Sequence, residues 1–236
     1  MQINKYKSSF DYSYTLGITL TIELLKTRPR DVFHIYFSSS YDNSDNSKVI
    51  HDLINKYNIQ TSINDKVFRM LSDKENCYVI GVFRKYQNKL NEGNHIALVN
   101  PANTGNLGTI IRSAVGFGIK NLAIIKPAVD IFDPKVIRAT MGSLFHINFE
   151  YFDSFDDYTK KFKNEIYTFM LKSNNNLKDI NFISPYTLVF GNEATGLDDS
   201  FLKYHNVIIK KTNDIDSFSL PIACSIAIYE ATKHNF

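Results

Sequence analysis

NPANTGNLGTIIRSAVGFG, residues 100–118, is the stretch on which the reading of the fold turns. It follows a short apolar run, IALV at 96–99, of the kind that makes a buried strand. Asn103, Gly105, Asn106 and Gly108 then make a polar turn, and Thr109, Ile110, Ile111, Ala114 and Val115 take helical spacing. Strand, Gly/Asn turn and helix in that order are the repeating unit of an α/β protein. The same order brings the free N–H groups of a helix start close to one guanidinium, that of Arg112. Taken alone the turn is a weak functional signal, because glycines are common between a strand and a helix.

Outward from this unit the alternation continues. Apolar runs predict strands at 95–99, 121–126, 147–151, 166–171, 186–190 and 206–210, and helices at 106–117, 134–142, 155–163, 198–204 and 219–233. Towards the N-terminus, 16–25 has helical spacing, 32–37 reads as a strand and 38–47 as a polar loop. A helix at 49–57, a strand at 59–63, a helix at 65–71 and a strand at 77–83 complete a smaller α/β unit. Between the two lies RKYQNKLNEGN at 84–94, polar and without an apolar period, which reads as a linker. The expectation is two α/β domains, residues 1–90 and 91–236.

The net charge of +3 is mildly basic and fits an RNA partner only if the cations cluster. Cys77 and Cys224 have no metal-ligand spacing and sit among apolar neighbours, as buried thiols in a reducing compartment do. The histidines form no i, i+4 pair, so no metal is expected. No segment approaches eighteen apolar residues and the first residues lack an apolar signal region, so a cytoplasmic protein without a membrane partner is expected.

Two later segments give the first its weight: LVFGNEATGL at 188–197 and DSFSLPIACSIAIYE at 216–230. In this order and spacing the three resemble the motifs of the SpoU/TrmH branch of the SPOUT RNA methyltransferases. The resemblance covers 91–236 closely and 1–90 more loosely. It implies an α/β SPOUT methyltransferase domain with a C-terminal trefoil knot, a feature that general rules of chain topology would argue against. Before it, the resemblance implies a small α/β RNA-binding domain of ribosomal-protein type. S-adenosyl-L-methionine as cofactor, a ribose 2′-hydroxyl of structured RNA as substrate and a homodimer follow from the same likeness. Ribosomal RNA is favoured over tRNA because of the N-terminal extension.

Position by position, the likeness makes Asn103, Arg112, Glu193, Ser217 and Ser219 catalytic candidates. Leu188, Gly191, Gly196, Ile209 and Phe218 become cofactor-binding candidates, and Arg138, Arg28 and Arg30 RNA-binding ones. Each has a plainer reading: Asn103 favours a turn, Arg112 and Arg138 are solvated helix cations, and Glu193 suits a helix N-terminus. The likeness assigns Arg112 to the ribose hydroxyl, as proton acceptor or as charged stabiliser. Discharging a guanidinium at neutral pH costs roughly 7 kcal/mol, whereas general-base assistance returns roughly 3–5 kcal/mol. The charged role is therefore the better one. Gly191 is expected to let backbone approach a ligand.

The third motif departs from the family. Ser217-Phe218-Ser219 stands where Ser-Leu-Asn is usual, and Lys210-Lys211 where Pro-Met is usual. Ser219 keeps a hydroxyl but loses reach and a donor. That departure supports one alternative, an RNA-binding protein of the same fold with weakened catalysis. A Rossmann-type methyltransferase or dehydrogenase is a second, against which stands the lack of GxGxxG after any predicted strand.

Overall fold

The structure, a computed structural model, describes residues 3–42, 45–72 and 76–235. The chain forms two compact α/β units, one of Met1–Tyr86 with Asp130–His146, the other of Gln87–Val129 with Ile147–Phe236.

The first unit begins with β1 (Tyr12–Leu16), α1 (Ile18–Thr27), β2 (Val32–Phe37) and α2 (Asp45–Tyr57). It continues with β3 (Thr61–Ile63), α3 (Asp65–Leu71) and β4 (Val79–Arg84). The sheet order is β1-β4-β2-β3, with only the β2/β3 pair parallel. Strand β1, YSYTL, sorts its side chains by period two. Tyr12 and Tyr14 join the apolar cluster of Val67, Phe68 and Leu71 from α3. On the alternate positions, the Thr15 hydroxyl lies 2.7 Å from that of Thr21 on α1. A Cβ on Gly81 of β4 would come within 2.9 Å of both threonine side chains, so the glycine lets α1 seat on the sheet. The helix predicted at 16–25 starts later than its apolar spacing suggests. Gly17, at φ +110°, turns the chain out of β1, and Leu16 ends a strand that the pattern had hidden. The loop expected at 38–47 falls partly outside the described residues.

In the second unit, β5 (His95–Val99), α4 (Thr104–Gly116) and β6 (Asn121–Ile125) follow the decisive stretch. A connection carrying α5 (Pro134–Thr140) then leads to β7 (Asn148–Phe152), α6 (Phe155–Lys161) and β8 (Glu165–Phe169). Finally come β9 (Tyr186–Phe190), β10 (His205–Val207) and α7 (Leu220–Thr232). The six strands are all parallel, in the order β10-β8-β9-β5-β6-β7. A parallel sheet is covered on both faces, which is why its central strands read as continuous apolar runs such as LAII and TLVF. Phe155 and Tyr158 of α6 cluster with Ala97, Ala123 and Val189 of the central strands. Helices α4 and α7 pack together, with Ser113 and Ser225 hydroxyls 2.8 Å apart.

Three segments differ from expectation. The helix expected at 198–204 is a short 3₁₀ turn, Asp199–Lys203. The linker at 84–94 is held in place: Leu90 is buried, its N–H donates to Glu150 at 3.2 Å, and the Asn91 N–H donates to Asn121 Oδ1 at 3.0 Å. The largest difference concerns 130–146, expected in the second domain. It belongs to the first unit, where Phe132 and Phe145 set their rings edge-on to Phe83 at 6.1 and 5.6 Å. The observed break falls at 86/87, and the first unit takes in this excursion as well, which an expectation of one boundary near residue 90 does not include.

Candidate active site

The carboxyl ends of parallel strands are where open α/β sheets bind ligands. Here the ends of β8, β9 and β10 surround a cavity of about 240 Å³. Its apolar wall includes Phe169, Phe190, Phe218, Leu220 and Ala223, and the turn 191–196 supplies peptide groups. Phe169 and Phe190 stack with ring centroids 4.5 Å apart, closing the floor between two adjacent strands.

The turn after β9 is shaped by its own backbone. A Cβ on Gly191 would lie 2.2 Å from the Gly196 carbonyl carbon and 2.4 Å from the Leu197 nitrogen. Gly191 is therefore required first by the chain doubling back on itself, and only then by any ligand beside it. The Gly196 N–H donates to the Asn192 carbonyl at 2.9 Å, and Gly196 itself sits at φ +68°. The Asn192 side chain finishes the turn by accepting from the Ala194 N–H at 2.9 Å and donating to the Asn100 carbonyl at 2.8 Å.

Glu193 connects this turn to the one before α4. Its carboxylate accepts from the Ala102 N–H at 3.3 Å, the Asn103 N–H at 3.2 Å and the Asn106 amide at 3.2 Å. Asn103 is the N-cap of α4, its side-chain oxygen accepting from the Asn106 N–H at 3.0 Å. Both sequence motifs thus meet at one helix start. Asn103 answers the Asn106 N–H and Glu193 the two N–H groups just before the helix, so Glu193 positions the Asn103 turn.

Gly191, Glu193, Gly196, Ile209, Ser217 and Phe218 all line the cavity. Leu188 does not: it is fully buried inside β9, paired with Ile96 and Tyr167, and is a core residue. Ser219 lies outside the lining as the N-cap residue of α7, with no side-chain cap bond. Arg112 is exposed on α4, outside the lining, with no carboxylate paired to it among the described residues. Arg138 is exposed on α5 in the first unit. Arg28 is engaged within that unit, 3.8 Å above the Tyr86 ring and 3.9 Å from Asp31, while Arg30 is exposed.

Sequence reasoning gave no site role to Asn106, Asn192, Lys211 or the residues 169–171. The last could have been found from their place at the end of a parallel strand; the two asparagines lie inside quoted motifs but carry no distinguishing type. Lys211 donates to the Ile215 carbonyl at 2.6 Å and so tethers the loop that leads to Ser217. Burial, together with the charge of Glu193, pushes the Cys224 thiol up, and burial does the same for Cys77, so both stay protonated. Among the described residues no group of three His, Cys, Asp or Glu could hold a metal, and no helix is long and apolar enough to cross a membrane.

Comparison with known proteins places these features in company. The model of the SpoU rRNA Methylase family matches residues 93–229. A 23S rRNA (uridine(2479)-2′-O)-methyltransferase of Streptomyces viridochromogenes is 29% identical over 143 residues, 56% of this chain and 50% of its own length. The chain spans about half the length of several curated relatives it matches. The AdoMet-bound rRNA methyltransferase of Sinorhizobium meliloti superposes with a TM-score of 0.79 at 22% identity, covering 96% of this chain and 88% of that one. A structure concerned with 2′-OH methylation of C/U34 on tRNA superposes with a TM-score of 0.56 at 25% identity, covering 60% of this chain and 95% of that one.

Proposed function

Since the chain belongs to the SpoU rRNA Methylase family, we propose that it transfers a methyl group from S-adenosylmethionine to a ribose 2′-hydroxyl of structured RNA. The observation that carries the reading is the cavity at the ends of β8, β9 and β10, joined through Glu193 to the turn of Asn103.

The cavity fits the cofactor chemically. An adenine ring needs apolar faces and peptide groups at its edge; Phe218, Leu220 and Ala223 supply the first, and the peptides of 191–196 and 208–209 the second. When bound, the sulfonium supplies an electrophilic methyl group. This chain's own work is placement and charge: the 191–196 turn and the 208–218 loop hold the cofactor, and Arg112, charged, holds the phosphate next to the target and stabilises the developing alkoxide. Ser217, in the lining, orients groups at the mouth. Ser219 caps α7 through its backbone, its carbonyl accepting from the Ala223 N–H, so its replacement of Asn does not touch the cavity wall.

Ribosomal RNA is the preferred substrate in this reading. The fold likeness to an rRNA methyltransferase spans both units, whereas that to the tRNA-related structure spans 60% of the chain. The first unit is then the RNA-binding domain, with Arg138 and Arg30 free to meet phosphates and Arg28 committed to Tyr86. A homodimer is supported by the exposed Ile222 and Tyr229, seven residues apart on one face of α7. A C-terminal trefoil knot belongs to the same reading through the family likeness. The proposed location is the cytoplasm.

Arg112→Ala tests the catalytic assignment. Methyl transfer to ribosomal RNA should fall by more than tenfold, over ~1.4 kcal/mol in the barrier, while calorimetric S-adenosylmethionine affinity is unchanged. Retention of more than about a tenth of the rate would remove Arg112 from that role.

A further inference from the structure

Asn100, the residue just past β5, stands in the left-handed region at φ +54°. It also precedes Pro101, and a proline ring pushes the residue before it towards extended backbone. Both effects oppose the conformation of this one half-buried residue, so contacts elsewhere must hold it there. Part of the hold comes from the chain around β6: the Asn100 N–H donates to the Ile125 carbonyl at 2.9 Å, and the Val129 N–H to the Pro101 carbonyl at 3.0 Å. Another part comes from the wall of the cavity proposed for the cofactor, where the Asn192 side-chain amide donates to the Asn100 carbonyl at 2.8 Å.

The orientation of the Asn192 amide is fixed by its neighbours. Oδ1 faces the N–H groups of Ala194 and Thr195 at 2.9 and 3.3 Å, which can only donate. Nδ2 faces the Asn100 carbonyl and, at 3.4 Å, the Glu193 carboxylate, which can only accept. One side chain therefore joins the turn that walls the cavity to the residue that sets the direction of the Asn103 turn. Glu193 binds the N–H groups of residues 102 and 103, after the proline, whereas Asn192 binds the backbone before it. Neither can stand in for the other.

We propose that Asn192 is a positioning residue for methyl transfer. Its amide holds Asn100 in the left-handed conformation, and so fixes the Asn103 turn, with the start of the helix that carries Arg112, against the cofactor wall. Asn192 acts on turnover through Asn100 and has no need to touch the RNA. The inference rests on the reading of the chain as an RNA methyltransferase.

The test separates the two ends of the Asn192 amide, in the full chain. Asn192→Ser keeps an oxygen that can accept from the Ala194 N–H, adds no charge, and is too short to reach Asn100 as well. Asn192→Asp keeps the acceptor at full reach but turns the other end from donor to acceptor. Both variants should bind S-adenosylmethionine, by calorimetry, no more than about threefold more weakly than the wild type. Their kcat for methyl transfer to ribosomal RNA should fall by about tenfold, with a smaller change in the RNA KM. Asn100→Gly removes the need for the hold, because glycine takes a positive φ without a Cβ clash. Added to either variant it should return most of the lost kcat, a recovery that a merely structural role for Asn192 would not give. Should one variant aggregate, the other carries the test. Unaltered kcat, or a loss that Asn100→Gly does not relieve, would overturn the positioning role and leave the methyltransferase reading intact. Cofactor affinity falling in step with kcat would show that Asn192 serves the cavity turn alone, and would overturn it too. A wild-type chain that binds no S-adenosylmethionine and methylates no RNA would overturn both readings.

Discussion

Both oxygens of the Glu193 carboxylate serve the turn before α4, one meeting the Ala102 N–H and the other the Asn103 N–H and the Asn106 amide. Glutamine has one carbonyl oxygen for these donors, so Glu193→Gln leaves one of them unanswered. Because these donors are exposed and water can answer them, the expected loss is about 0.5–1.5 kcal/mol, read as a lower urea midpoint, together with slower methyl transfer from a misplaced Asn103 turn. Gly191→Ala is the harsher change. A Cβ 2.2 Å from backbone cannot be accommodated by a side-chain shift, so the turn must be rebuilt. Loss of S-adenosylmethionine binding and a clear fall in melting temperature are expected together; a fall in affinity alone would show that the glycine serves the ligand only. At this scale the sequence was half legible. That Gly191 must be glycine follows from its motif, but the cause, the return of Gly196 and Leu197, is a tertiary approach that residue type does not encode. Leu188 shows the converse, a motif position whose side chain points into the core.

Strand β5, helix α6 and strand β9 are joined by a buried hydrogen-bond chain with one consistent direction. His95 Nε2 lies 2.8 Å from the Asn91 carbonyl, which can only accept, so that nitrogen carries the proton. Nδ1 then accepts from the Tyr158 hydroxyl at 2.8 Å, which in turn accepts from the Thr187 hydroxyl at 2.6 Å. Burial depresses the His95 pKa, outweighing the opposing effects of the Asn91 carbonyl and Glu92. A depressed histidine stays neutral in the fold while the unfolded chain takes up its proton. Stability is therefore full above about pH 6.5 and is lost as the pH falls from there towards the folded-state pKa, by up to about 1.4 kcal/mol per pH unit. Urea unfolding between pH 8 and 5 should show this slope, and His95→Gln should flatten it. The elements themselves were readable where the period was unmixed: the strands predicted at 32–37, 95–99 and 186–190 are those observed. Strand β1 was not, because Leu16 counts equally well as the last strand residue or the first of a helix. Only the glycine after it, at a φ that other residues rarely adopt, decides between them.

For the whole molecule, the excursion 130–146 changes what a truncation should do. A fragment of 91–236 keeps the six-stranded sheet but strips Phe132, Val136, Ile137, Leu144 and Phe145 of the unit in which they are buried. Such a fragment should bind a hydrophobic dye and aggregate. Exchanging 130–146 for a Gly/Ser linker of equal length should restore a monodisperse fragment that binds S-adenosylmethionine. If 91–236 is well behaved unaltered, the excursion contributes little to the first unit. Strand–helix alternation gave the expectation of two units with one boundary near residue 90. It could not reveal which unit receives a crossover, because an amphipathic helix looks the same whichever core it covers.

The borrowed segment also has a consequence in time. A polypeptide emerges from the ribosome N-terminus first, at about 5–20 residues per second, and its domains generally fold as they are completed. Here the first unit cannot close when Tyr86 appears, because the rings that meet Phe83 belong to residues 132 and 145. For several seconds of synthesis a nascent four-stranded sheet waits with one patch uncovered, which makes the N-terminal unit, though first to be made, dependent on the translation of its successor.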